Sequence, residues 1–199
     1  MTIVEHKVTR ARVEASVRDA KFPGHDPARW ALPLVALADQ RAGGVWTLQA
    51  FDLDAAAALW LPAHAGEPCH GDTMQLGGAP DDDGTNAPQG MALGAATAWL
   101  RAHQDAYRAA NASCWARITT ARDTSWEPLV VAPFGVGDRT GPPGTPLVVI
   151  DGLHRALGWA LGWALGQGRG AAVSEPTLLA FVAGAPIGMA DTADARGID

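Results

Sequence analysis

The sequence predicts a mixed α/β (α+β) protein, and three features carry that expectation. Leu147 to Ile150 is a short, largely β-branched apolar run that passes through Asp151-Gly152 straight into an apolar helix from Leu153 to Leu165. Segments 127–132 and 175–182 read as strands on either side of that unit. Met91 to Ala110 has the clearest helical periodicity, with Leu93, Ala96, Leu100 and Tyr107 on one face and Arg101, Gln104, Asp105 and Arg108 largely off it. Strands interleaved with helices in this way bury a sheet beneath a helical layer.

Taken in order, Val8 to Ala20 fits neither a helical nor a strand period cleanly, so its state stays open. Ala28 to Ala38 is apolar but contains Pro33, which removes a helical hydrogen bond and favours an extended segment or a break. Gly43-Gly44 makes a turn into an alternating strand from Val45 to Leu53. Asp54 to Trp60 is expected to be helical, capped by Asp52 or Asp54 and ended by Pro62. Ala63 to Gly90 is rich in Gly, Pro and Asp and without period, so it reads as a long loop. Asn111 ends the helix before it, and residues 114–123 lead toward the strand at 127. Gly135 to Asp138 and Gly141 to Thr145 form a hairpin connection; a phosphate loop would need Gly-Lys-Ser/Thr opening a helix, whereas Pro146 and a strand follow. Gly158, Gly162 and Gly166 recur on one helical stripe beside Trp159 and Trp163. Glycine costs a helix up to about 1 kcal/mol each, so the stripe implies close packing, with a homodimer contact through the tryptophans as the other reading.

Composition limits the function. At 199 residues and 48% hydrophobic, the chain is long enough for one sizeable core with a lobe added to it. A formal charge of −6 and no basic stripe argue against a nucleic-acid partner, since phosphate neutralisation dominates such binding. The N-terminus lacks an apolar leader and the 153–165 helix is too short to span a bilayer, so neither secretion nor a membrane anchor is expected. Cys69 and Cys114 form no familiar redox or ligand spacing, which suits a reduced, cytoplasmic protein. Abundant Ala and Gly with few Lys suggest a GC-rich bacterial source.

Chemistry concentrates at the corner from Asp151 to Arg155. A helix start leaves N–H groups unpaired and carries partial positive charge, so Gly152, Leu153, His154 and Arg155 together offer a seat for a phosphate. A plain cap by Asp151 and a surface ion pair by Arg155 explain the same residues without a ligand. His64, Cys69, His70 and Asp72 are all of metal-ligand type, but adjacent Cys69-His70 lacks a second pair at a usual interval. Asp81-Asp82-Asp83-Gly84 lacks the alternating ligands of a calcium loop and reads as a solvated acidic turn. His103, beside Leu100 and Tyr107, is read as a packed residue, with catalysis as the alternative.

The run Asp151-Gly152-Leu153-His154-Arg155-Ala156, with Glu127 to Ala132 before it and Glu175 to Val182 after, resembles the ParB/sulfiredoxin superfamily. There a D-G-x-H-R or G-x-R-R type sequence links a core strand to a phosphate-binding helix. The resemblance spans about residues 113 to 183 and implies a mixed-sheet core over 113–199, with residues 1–112 as an extension lobe packed on it. It also implies a nucleotide or phosphorylated metabolite at the corner, with activities in that superfamily running from nucleotide hydrolysis and phosphorylation to nuclease action and DNA partitioning. The expectation is a small-molecule kinase or nucleotide hydrolase using ATP and Mg2+. Asp151 would act as metal ligand or base, His154 as phosphate ligand or proton carrier, Arg155 and Arg122 as cations, and Asp123 or Glu127 as base. Arg155→Ala would then abolish ligand binding and leave the apo protein folded. A non-catalytic anionic-metabolite sensor and a tailoring enzyme of specialised metabolism are the alternatives.

Overall fold

The computed structural model describes residues 1–19, 26–64, 72–74, 76, 90–123, 127–133, 135–137, 139–164 and 177–184. The chain is α+β. Among the described residues, seven strands form one mixed sheet: β1 (Thr2–Glu5), β2 (Trp46–Phe51), β3 (Trp60–Leu61), β4 (Met91–Ala92), β5 (Leu129–Ala132), β6 (Val148–Asp151) and β7 (Leu178–Ala183), in the order β1-β2-β7-β5-β6-β3-β4. β7 runs parallel to β5 and β3 parallel to β6, while the remaining neighbours are antiparallel. β2 pairs with β7 along its whole length, from Trp46 opposite Ala183 to Phe51 opposite Leu178. Residues 1–112 supply β1 to β4 of the same sheet that holds β5, β6 and β7.

Helices cover both faces. α1 (Arg10–Asp19), α2 (Pro27–Trp30) and α3 (Leu32–Arg41) precede β2. α1 and α3 bury Val13, Val17, Val35 and Ala38 with Trp46, Leu48, Val130, Ile150 and Phe181 on one face. α4 (Leu53–Ala57), α5 (Leu93–Ala102), α6 (Gln104–Ala110), α7 (Ala112–Asp123) and α8 (Leu153–Ala164) complete the set. The opposite face packs Phe51, Leu93, Leu100, Tyr107, Ile118, Leu129, Val149, Leu157 and Trp159 together. Burying each such large apolar side chain contributes about 1.5–3 kcal/mol. Among the described residues no helix is long and apolar enough to cross a membrane.

Several local expectations change for physical reasons. The break expected near Pro33 falls at Ala31, between α2 and α3, and residues 32–41 are helical rather than extended, since the proline sits in the first turn of α3, where no N–H is needed. The 91–110 periodicity divides into β4, α5 and α6, broken at His103. His103 is exposed and stacks on Trp99 with ring centroids 4.6 Å apart, so it is no core residue. The segment leading toward β5 is a helix over residues 112–123. Asp52, not Asp54, caps α4, accepting from the Ala55 amide at 2.8 Å. The acidic run 81–84, Cys69 and His70 lie outside the described residues.

Gly158 and Gly162 of the glycine stripe pack inside the molecule, and Gly166 lies outside the described residues. A Cβ on Gly158 would lie 2.5 Å from the Ile118 carbonyl oxygen and 2.8 Å from the Arg122 amide nitrogen, and one on Gly162 would lie 3.1 Å from Arg122 Cγ. α7 and α8 thus lie side by side with Ile118 against Gly158 and Arg122 against Gly162, the same interval of forty residues each time. Trp159 is 2% exposed and belongs to the core, not to an outward dimer face. Gly158→Ala is expected to destabilise the protein by about 1–2 kcal/mol, because backbone crowding outweighs the gain in helix propensity. Urea unfolding measures it, and a variant at least as stable as wild type would contradict this packing.

Candidate metal centre

The forty-residue register of α7 on α8 extends one turn further back, to Cys114 and His154. Cys114 Sγ lies 3.1 Å from His154 Nε2. From the loop after β3, His64 brings its Nε2 to 3.2 Å from the same sulfur. The two imidazoles meet edge to face at 5.1 Å between centroids. All three ligand-type atoms fall within 4.8 Å of one another. A tetrahedral ion with M–N near 2.0–2.1 Å and M–S near 2.3 Å holds such atoms roughly 3.3–3.6 Å apart, so the cluster needs only small side-chain adjustment to close on an ion.

Position in the fold explains the convergence. Cys114 is in the first turn of α7 and fully buried. His154 is in the first turn of α8, just after Gly152, whose φ of 98° turns the chain out of β6. The loop that carries His64 is tied down at Leu76, whose amide donates to the His64 carbonyl at 2.9 Å.

The entrance to α7 is built as a reciprocal clamp. Asn111, which precedes the helix, accepts from the Thr73 and Met74 amides at 2.9 and 2.8 Å and donates to the Met74 carbonyl at 2.7 Å. Asp72 in return accepts from the Ser113 and Cys114 amides at 3.1 and 2.9 Å. Asp72 is 3% exposed, so a carboxylate is buried at the positive end of α7 beside the sulfur. Tyr107, fully buried, places its hydroxyl 3.1 Å from Cys114 Sγ. Burial, followed by the neighbouring Cys114, pushes the Tyr107 phenol far above its ordinary range, so it stays protonated and able to donate.

The residues expected at a phosphate seat are distributed differently. Asp151, Gly152, Leu153, His154 and Arg155 do share the β6–α8 corner, but Arg155 faces inward and is 9% exposed. Its guanidinium donates to the Asp151 carboxylate at 2.9 Å and to the Glu127 and Pro128 carbonyls at 3.1 and 2.9 Å. Burial pulls its pKa below the usual arginine value, and Asp151 and Glu127 oppose that shift. A Cβ on Gly152 would meet Arg155 Nη2 at 2.9 Å, so the guanidinium lies across the glycine. Leu153 packs in the core. Glu127 contributes its backbone oxygen, while its carboxylate is exposed and accepts from Ser16 Oγ at 3.3 Å. Arg122 sits against Gly162, two turns beyond His154, roughly 12 Å along the α8 axis from the corner. Asp123 is the last residue of α7, at the end opposite Cys114.

His154 and His64 were thus both visible as chemically interesting in the sequence, but Cys114 was missed as the atom that joins them. The usable signal was the matched four-residue spacing of Cys114, Ile118 and Arg122 with His154, Gly158 and Gly162. A cavity of about 320 Å³ between α4, α5 and α8, lined by Leu53, Leu93, Thr97 and Trp159 among others, has none of the three cluster residues in its wall.

A family model described as a family of unknown function matches residues 31–198. No curated protein and no solved structure matches the chain.

Proposed function

The chain belongs to DUF6309, a family of unknown function, and we propose that it binds a divalent transition-metal ion of the zinc class through His64 Nε2, Cys114 Sγ and His154 Nε2. The observation that carries this reading is the approach of two imidazole nitrogens and one sulfur from three separate elements to within 4.8 Å of one another. The three ligands found among the described residues match the three-ligand sets of catalytic zinc sites, in which the ion acidifies a bound water, and metal-assisted hydrolysis is the activity this reading proposes.

Charge favours a cation over a free nucleophilic thiol. A thiolate activated by a helix start draws on the helix's unpaired amides, but here the Ser113 and Cys114 amides already donate to the Asp72 carboxylate. A thiolate formed on metal binding would join the Asp72 carboxylate in a buried place, and a dication offsets both charges. The nucleotide reading of the β6–α8 corner relies on Arg155, whose guanidinium is engaged by three protein oxygens.

Thermal unfolding of the metal-stripped protein tests the readings together. Zn2+ or Co2+ at about a thousand times the dissociation constant is expected to stabilise by about 4 kcal/mol, with one ion bound per chain. ATP with Mg2+ is expected to give no shift. Stabilisation by ATP–Mg2+ without any by Zn2+ or Co2+ would overturn the metal centre in favour of the nucleotide site.

A further inference from the structure

Resting on the metal-centre reading, we infer that Tyr107 is a positioning residue of that centre, its phenol hydroxyl donating to the Cys114 thiolate and fixing the sulfur's direction toward the ion. The geometry is specific. The hydroxyl lies 3.1 Å from Sγ in a place with no solvent exposure at either residue. A buried phenol needs a partner, and a thiolate that accepts a hydrogen bond from O–H is a strong one.

The ring cannot swing away without breaking its packing. Trp99 meets it edge to face at 5.9 Å and 89°, and Trp115 does so at 6.5 Å and 68°. The helical ladder of α6 and its two flanking residues holds its backbone, since the Tyr107 amide donates to the His103 carbonyl and the Asn111 amide donates to the Tyr107 carbonyl, both at 2.8 Å. Asn111 is the residue that clamps the 73–74 segment, so the same elbow sets the phenol, the thiol and the incoming loop.

A hydrogen bond to a metal-bound thiolate lowers the energy of the sulfur lone pair. Removing it therefore moves sulfur-to-metal charge transfer to longer wavelength. Outer partners of this kind typically change metal affinity by about 10–100-fold. The test is Co2+ titration of the full chain and of Tyr107→Phe, which keeps the ring and removes only the hydroxyl. In the wild type a thiolate-to-cobalt band is expected. In Tyr107→Phe the band should persist, shift to longer wavelength, and require about tenfold more Co2+.

A Tyr107→Phe protein with wild-type band position and affinity would overturn the role of Tyr107 and leave the metal centre standing. A wild-type protein with no such band would overturn the metal centre itself. Should Tyr107→Phe fail to fold, the chain's one tyrosine permits a second measurement. Incorporated 3-fluorotyrosine gives a single 19F resonance, which should move on addition of one equivalent of Zn2+; a resonance that stays in place while Zn2+ binds overturns the inference.

Discussion

Cys114→Ser is expected to weaken Zn2+ and Co2+ binding by about 100–1000-fold and to remove the sulfur-to-cobalt band, with the apo protein still folded. The magnitude follows from sharing. Apparent binding energies of about 10–16 kcal/mol for four-ligand zinc sites give about 2.5–4 kcal/mol for each ligand. Serine matches the thiol in shape, and the groups around Sγ, two imidazole nitrogens and a phenol, can hydrogen-bond a hydroxyl as well. His64→Ala and His154→Ala should lose affinity to a similar degree while keeping the charge-transfer band at high Co2+, because the thiolate remains. That division between variants is what a shared centre predicts. Isothermal titration with circular dichroism as the folding control measures it, and full wild-type affinity in Cys114→Ser would sink the assignment.

Which parts were legible in the sequence depends on how local their causes are. The β6–α8 junction was readable because an apolar β-branched run, a glycine with φ of 98° and an apolar helix succeed one another without interruption. Strand β7 and the 45–53 strand were readable for the same reason. Pro33 was half legible: the break it implied lies at Ala31 between α2 and α3, while the extended alternative fails because a proline in a helix's first turn costs no hydrogen bond. The joining of the N-terminal strands to the core sheet was not legible, because it rests on a long-range fact: Thr47 pairs opposite Val182, far away in the chain.

The site illustrates the limit more sharply. His64, Cys114 and His154 are separated by 50 and 40 residues, and no spacing rule connects ligands at such intervals. Tertiary packing connects them, through two glycines that let α7 and α8 approach until their first turns meet. The glycine stripe was legible as a packing surface; its partner was not. Arg155 misled for a related reason. An arginine one turn into a helix looks the same in sequence whether its guanidinium points to solvent or back across Gly152 to Asp151 and the strand before it.

The inward turn of Arg155 makes the second large expectation a structural one. Arg155→Leu should destabilise the fold by about 3–5 kcal/mol, the usual cost of removing one partner from a buried ion pair. The variant leaves the Asp151 carboxylate and the Glu127 and Pro128 carbonyls without the donors that now reach them. At side-chain exposures of 10% and 9% for Arg155 and Asp151, water cannot readily replace those bonds. For a chain of this length the loss corresponds to a fall in Tm of roughly 6–20 °C. An arginine serving only as an exposed anion ligand predicts the opposite, a change within about 0.5 kcal/mol. The double variant Asp151→Leu/Arg155→Leu separates pair from packing, since removing both charges together restores much of the loss if the uncompensated carboxylate is its main source. Because the same pair seats the first turn of α8, Arg155→Leu should also weaken Zn2+ binding through His154. Urea unfolding of the single and double variants, followed with and without Zn2+, reads both effects; near-wild-type stability in Arg155→Leu would return the guanidinium to the role of a ligand-binding cation.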